Sequence, residues 1–159
     1  AKKIKEYDLK AIVDPVMIAT AGGNLAKDDL SHDLNKYLLP KAYLTTPNIS
    51  EAEKLTNMEI KNVDDAVISS KILAKKCNTL ITGGHLDGLN TLNIDNNVSI
   101  YKQKLLKTDN LHGTGCNLSS AITAYLAKGN DLEKACRNSF DYVYKSIKNG
   151  KYGTLIADL

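Results

Sequence analysis

Six consecutive residues, His112-Gly113-Thr114-Gly115-Cys116-Asn117, combine a turn-forming glycine pair with a nucleophile-type sulfur. They stand directly ahead of Leu118, Ala121, Ile122, Tyr125 and Leu126, a stripe spaced i, i+3, i+4, i+7, i+8 that predicts a helix stopping at Gly129. Two glycines let a backbone turn tightly and come close to a ligand. The first turn of a helix offers unpaired N–H groups and the positive end of the helix dipole, which together form an anion site. A cysteine placed there has its thiolate stabilised. On spacing alone, an ordinary turn followed by a small core cysteine is an equal reading.

Two carboxylates come next. Asp14 sits between the apolar run Ala11-Ile12-Val13 and Pro15. As a cleft residue it would hold Mg2+, usually through water, because magnesium dehydrates reluctantly. An Asx-turn acid is as good a reading. Glu51 is the fourth residue of Asn48-Ile49-Ser50-Glu51, the spacing of a capping box that closes back on the Asn48 backbone. Spacing favours that role over a second carboxylate near a nucleotide-bound metal, and both share one location. Thr82-Gly83-Gly84-His85 follows another apolar run; its glycines admit phosphate or ribose, and equally make a plain turn. His85 reads as a hydrogen-bonded loop residue, and Cys77 and Cys136 as structural.

These residues need elements to hold them. Ala11 to Val13, Ala42 to Thr45 and Thr79 to Thr82 read as strands, each closed by breakers, and their continuous apolar character suits burial on both faces. Helices are predicted from Asn48 through Leu55, from Asp64 to Lys76, after Cys116, and from Leu132 through Ile147 behind an Asn130 or Asp131 cap. Leu89 to Lys104 reads as a hairpin turning at Asn96-Asn97. This order indicates an α/β fold with a mainly parallel central sheet flanked by helices on both faces. Ligands of such sheets bind beyond the carboxyl ends of the strands, where Asp14, Asn48, Thr82, Gly83, Gly84 and His85 would gather.

Composition narrows the function. The 159 residues carry 21 basic and 18 acidic side chains, 21 − 18 = +3, and 43% are hydrophobic. This fits a single domain, 1–159, with a real core. Three scattered surplus charges without interleaved aromatics do not describe a nucleic-acid binder, and Tyr142 and Tyr144 read as packing residues. No apolar stretch approaches the ~20 residues needed to span a bilayer. The N-terminus has no signal-peptide pattern, and three cysteines favour neither a disulfide framework nor a zinc site. A soluble, cytoplasmic protein is expected.

Four motifs occur in a recognisable order: Asp14-Pro15-Val16-Met17-Ile18-Ala19-Thr20, Thr46-Pro47-Asn48-Ile49-Ser50-Glu51-Ala52-Glu53, Gly83-Gly84-His85 and His112-Gly113-Thr114-Gly115-Cys116. From about Lys10 to Lys148 the chain resembles the hydroxymethylpyrimidine/phosphomethylpyrimidine kinases of thiamine biosynthesis, within the ribokinase-like superfamily. The resemblance implies ATP- and Mg2+-dependent phosphorylation of a hydroxymethylpyrimidine and then of its monophosphate. By position, Gly113, Thr114, Gly115 and Cys116 would form the anion hole, with Cys116 as base. Asp14 and Glu51 would serve the metal–phosphate region. Asn48, Thr82 and Gly84 would lie on the nucleotide side, and Val16 and His112 on the substrate side. A homodimer is also implied. Cysteine at 116, where related sugar kinases carry aspartate, favours the pyrimidine or pyridoxal branch. The family's usual lysine ahead of Gly-Gly-His is Thr82 here, a lost charge that should weaken nucleotide binding. Nothing in the chain matches the family's long N-terminal part, so a C-terminal portion of the domain is expected. A pyridoxal kinase and a non-catalytic nucleotide- or partner-binding fragment are the alternatives.

Overall fold

A computed structural model describes residues 1–17 and 30–157 of the chain. Ile18, Ala19 and Thr20, the tail of the Asp14 motif, lie outside the described residues. The chain forms two compact units, Ala1–Lys102 and Gln103–Leu159.

The first unit holds a five-stranded sheet in the order β1-β2-β3-β4-β5. Its strands are β1 (Ile12–Val13), β2 (Leu44–Thr45), β3 (Asn78–Ile81), β4 (Leu89–Ile94) and β5 (Asn97–Lys102). The first three pair in parallel and the rest antiparallel, so a short parallel sheet runs into a hairpin. Helices α1 (Lys2–Glu6), α2 (Leu30–Asp33), α3 (Ile49–Thr56) and α4 (Val63–Ala74) belong to this unit. A π-helical turn (Leu34–Leu38) and a 3-10 turn (Leu39–Lys41) continue α2.

Register shows why the strands are apolar on both sides. Cross-strand partners and alternate residues share a face, so Val13, Thr45, Thr79 and Asn93 look one way and Leu44, Leu80 and Leu92 the other. On the first face, Val13 joins Leu39, Leu55, Leu73 and Cys77, while Ile81 joins Ile49, Ala52, Ile60 and Ala66. These clusters seat α3 and α4 on the sheet. Leu44, Leu80 and Leu92 are each 1% exposed or less, so the second face is as dry as the first. Burying a leucine this fully contributes about 1.5–3 kcal/mol.

Helix starts follow local chemistry. The α4 helix begins one residue before the predicted Asp64, because the Asn62 side chain accepts from the Asp65 N–H at 3.0 Å. In the second unit, α5 (Thr114–Ala127) and α6 (Leu132–Asn149) pack on each other; α5 buries Leu118, Ala121 and Ile122, and α6 a stripe from Leu132 to Ile147. Their connection turns at Gly129 with φ +87°, and of the two predicted caps it is Asp131 that accepts, from the Lys134 N–H at 2.8 Å.

The hairpin turn sits one residue earlier than its asparagine pair suggests. Asp95 and Asn96 carry the positive φ values, +49° and +67°, and Asn97 already pairs with Ile94. Two left-handed residues are what a two-residue turn between twisted strands requires. Asn96→Val should therefore destabilise the protein by about 1–2 kcal/mol, the cost of forcing a branched side chain into that region. Urea unfolding checks it, and an unchanged midpoint would contradict the assignment.

Candidate active site

In the first unit, the polar residues singled out from sequence collect where the three parallel strands end. Asp14 follows β1, Asn48 and Glu51 follow β2 at the start of α3, and Thr82, Gly83 and Gly84 follow β3. The Thr82 N–H donates to the Pro47 carbonyl at 2.9 Å, and Thr82 forms a parallel bridge with Asn48. This extends the sheet's register into the loops and fixes two of the three ends together.

Glu51 does what its spacing predicts. The Asn48 side chain accepts from the Glu51 N–H at 2.9 Å, while Glu51 Oε2 accepts from the Asn48 N–H at 2.9 Å. This satisfies two groups a helix start leaves open. Glu51 is also only 5% exposed. Burial raises its pKa above the ordinary 4.5; the Asn48 amide pulls it back, the nearby Asp14 carboxylate raises it again, and the Met17 amide and Lys54 lower it. The capping role and the neighbouring-carboxylate role therefore coexist in one side chain. Asp14 is half-buried, with Oδ2 turned inside, and the Val16 N–H donates to its carbonyl at 2.9 Å. Val16 itself is 37% exposed.

Two hard carboxylates close enough to repel form a donor set that suits Mg2+, which takes one or two carboxylates and completes its shell with water and phosphate oxygens. Among the described residues no cluster of three metal-ligating side chains occurs.

The glycine pair after β3 splits into two jobs. A Cβ on Gly83 would lie 1.9 Å from the Leu89 carbonyl oxygen, so this glycine is demanded by packing. Gly84 is exposed, and a Cβ there would meet nothing within 4 Å. Only the second is open to a ligand. His85 is exposed in the same loop.

The second unit carries the other motif. Gly113 is left-handed, with φ +83°, at the N-cap of α5, and no side chain caps the helix. Gly113 and Gly115 both face open space, and Cys116 is exposed in the first turn. The glycines of the bend are thus clear of neighbouring atoms at a helix end without a side-chain cap, while the Thr114 N–H donates to the Leu111 carbonyl at 3.3 Å. The Thr114 hydroxyl donates back to the Leu111 carbonyl at 2.6 Å. His112 has an exposed side chain; its N–H donates to the Gly153 carbonyl at 3.3 Å and it bridges Thr154. By contrast, burial pushes the Cys77 thiol up to about 11 and the Cys136 thiol up to about 12, which leaves both as core residues, as expected.

Two asparagines were not singled out in advance. Asn90, 2% exposed on β4, accepts from the Gly83 N–H at 3.0 Å. Asn110 donates to the Gly150 carbonyl and accepts from the Gly153 N–H, both at 2.8 Å, tying the segment ahead of His112 to the C-terminal tail. The available signal for Asn90 was a polar residue inside a run otherwise read as strand.

Comparison with known proteins gives the family and the fold. The family model described as phosphomethylpyrimidine kinase matches residues 1–155. The hydroxymethylpyrimidine/phosphomethylpyrimidine kinase of Bacillus subtilis is 35% identical over 156 residues, covering 94% of this chain and 58% of that protein. The crystal structure of a Clostridium difficile phosphomethylpyrimidine kinase superposes with a TM-score of 0.77 at 38% identity, over 92% of this chain and 61% of that one. A Staphylococcus aureus pyridoxal kinase in complex with ADP gives a TM-score of 0.85 at 27% identity, over 99% and 62%. The fold is that of the ribokinase-like pyrimidine and pyridoxal kinases, and the chain spans about six-tenths of the length of these relatives.

Two measurements check the local chemistry. A raised Glu51 pKa means the folded state holds that proton more tightly than the unfolded chain, so its contribution to stability is present at low pH and lost as pH rises through the folded value. Relative to Glu51→Gln, the parent should gain stability in urea as pH falls from neutral toward 4.5; a constant difference across the series would refute the shift. Gly83→Ala should cost about 1–3 kcal/mol or more through overpacking, whereas Gly84→Ala should stay within about 0.5 kcal/mol. Thermal melts of equal depression would contradict the division of roles.

Proposed function

The chain belongs to the phosphomethylpyrimidine kinase family, and from that membership we propose that the protein it represents phosphorylates 4-amino-5-hydroxymethyl-2-methylpyrimidine and then its monophosphate, using ATP. The observation that carries this reading is the open, glycine-turned start of α5 with Cys116 in its first turn. That is what phosphoryl transfer needs, because its loose transition state is served by alignment and by fixed positive charge rather than by covalent chemistry.

On this reading the first-turn amides from Gly113 to Cys116 bind the γ-phosphoryl oxygens, and charge developing there is met by the helix dipole. In the first step the Cys116 thiolate takes the proton of the substrate hydroxyl as its oxygen bonds to phosphorus. The bond from phosphorus to the bridging oxygen breaks, and that electron pair leaves with ADP. In the second step the nucleophile is the monophosphate, already anionic, and no proton need be removed. Val16 and His112 serve the pyrimidine side. Asn48, Thr82 and the open Gly84 serve the nucleotide side.

Bound Mg2+ would supply charge neutralisation between phosphate oxygens, with Asp14 and Glu51 as its protein carboxylates. Burial chiefly, and the Asp14 charge in smaller part, raise the Glu51 pKa, and a cation bound there would favour the ionised carboxylates. A cytoplasmic homodimer acting on small molecules completes the reading. Pyridoxal is the competing substrate, favoured by the close superposition on the Staphylococcus aureus pyridoxal kinase.

Turnover of ATP on the pyrimidine alcohol, its monophosphate and pyridoxal decides between the two rings; faster turnover on pyridoxal would reverse the assignment. ATP binding with no turnover on any of them would instead favour a non-catalytic nucleotide-binding role. In the intact protein, Cys116→Ala should lower kcat of the first phosphorylation by about 100-fold or more, the usual weight of a general base, and leave the second within a few-fold. Equal losses in both steps would remove the base role and leave only the geometry of the anion hole.

A further inference from the structure

Between the packing-locked Gly83 and the open Gly84 the backbone has to leave β3 at a fixed angle, and one buried side chain sets it. Asn90 accepts from the Gly83 N–H at 3.0 Å through Oδ1. Its Nδ2 donates to the Gly88 carbonyl at 3.2 Å and approaches the Tyr101 carbonyl at 3.5 Å. The Gly83 carbonyl in turn accepts from the Leu86 N–H at 2.8 Å and from the Gly88 N–H at 3.0 Å. Both ends of the loop from Gly83 to Gly88 are therefore gripped by one amide. Asp87 and Gly88 turn the chain back through left-handed conformations, φ +51° and +76°.

This grip reaches the candidate site through one peptide. Gly83 follows Thr82, which donates to Pro47 and bridges Asn48. Gly84, next along, is the exposed glycine with open space beside its Cα. A strand residue fully out of solvent would ordinarily be apolar, since an amide buried without partners is costly. An asparagine is tolerated here because it meets orphan groups of the loop on both of its polar ends.

We propose that Asn90 is a positioning residue for nucleotide binding: it holds the Thr82–Gly84 backbone in the conformation that receives the nucleotide, without touching the ligand. This rests on the reading of that loop as nucleotide-facing. A purely structural residue is available as a control on the same strand. Asn93 is fully buried too, but its Nδ2 donates to the Ser70 hydroxyl of α4 at 3.3 Å, away from the loop.

ADP titrated calorimetrically into the intact protein, with hydrogen exchange at the Gly83 amide read in parallel, tests it. Asn90→Ala should raise the ADP Kd about tenfold, the weight of one lost buried hydrogen bond, and speed Gly83 exchange. Asn93→Ala, a comparable core loss, should leave the Kd within about twofold. If Asn90→Ala does not fold, Asn90→Asp is read in its place: it keeps an oxygen on the Gly83 N–H, so it should melt lower yet bind ADP within about threefold of the parent. Equal weakening in Asn90→Ala and Asn93→Ala, unchanged affinity in Asn90→Ala, or a tenfold loss in Asn90→Asp would overturn the proposal. A parent that binds no ADP sinks the kinase reading instead, and unaltered Gly83 exchange in Asn90→Ala then separately overturns the positioning role.

Discussion

The reciprocal pair of hydrogen bonds between Asn48 and Glu51 is the joint on which the first unit's site turns. It closes the start of α3, and it fixes a buried carboxylate beside Asp14 at the ends of the parallel strands. The Asn48 backbone also carries the bridge to Thr82, so the loop after β3 takes its position from the same residue. A helix cap is usually worth about 1 kcal/mol and serves only its own helix. Here the same two bonds also orient a buried carboxyl group whose pKa is raised, mainly by its burial.

Local signals were enough for most of the frame. The strand positions, the capping box, the α5 stripe and the hairpin follow from residue type and spacing, because each depends on neighbours within a few positions. The turn at Asp95-Asn96 shows where that stops: an asparagine pair marks the turn but does not say which two residues go left-handed, since cross-strand register decides that. Gly83 and Gly84 are indistinguishable as letters, and only the Leu89 carbonyl, brought alongside by the β3–β4 pairing, separates a packing glycine from an open one. Asn90 and Asn110 carry no local signal of their bonds for the same reason, as their partners lie 7 and 40 or more residues away.

The candidate site residues fall into two constellations, each built within its own unit. One offers carboxylates and loop backbone; the other offers helix-start amides and an exposed thiol. The two differ in what stabilises them. The first is braced by sheet register and buried polar bonds. The second is braced by one helix packing on another, and its apolar stripe on α6 runs from Leu132 to Ile147. Mutations in the sheet and mutations in the helical pair should thus be felt by different constellations.

The fastening of Asn110 to Gly150 and Gly153 makes the last stretch of the chain a strut for the segment that delivers His112 and Gly113. Lys151 and Thr154, which pair with each other and through Thr154 with His112, thereby acquire leverage on the bend at Gly113. Substitutions between Gly150 and Thr154 would act through the same bonds. A protein altered there would report on the alteration as much as on the bend itself.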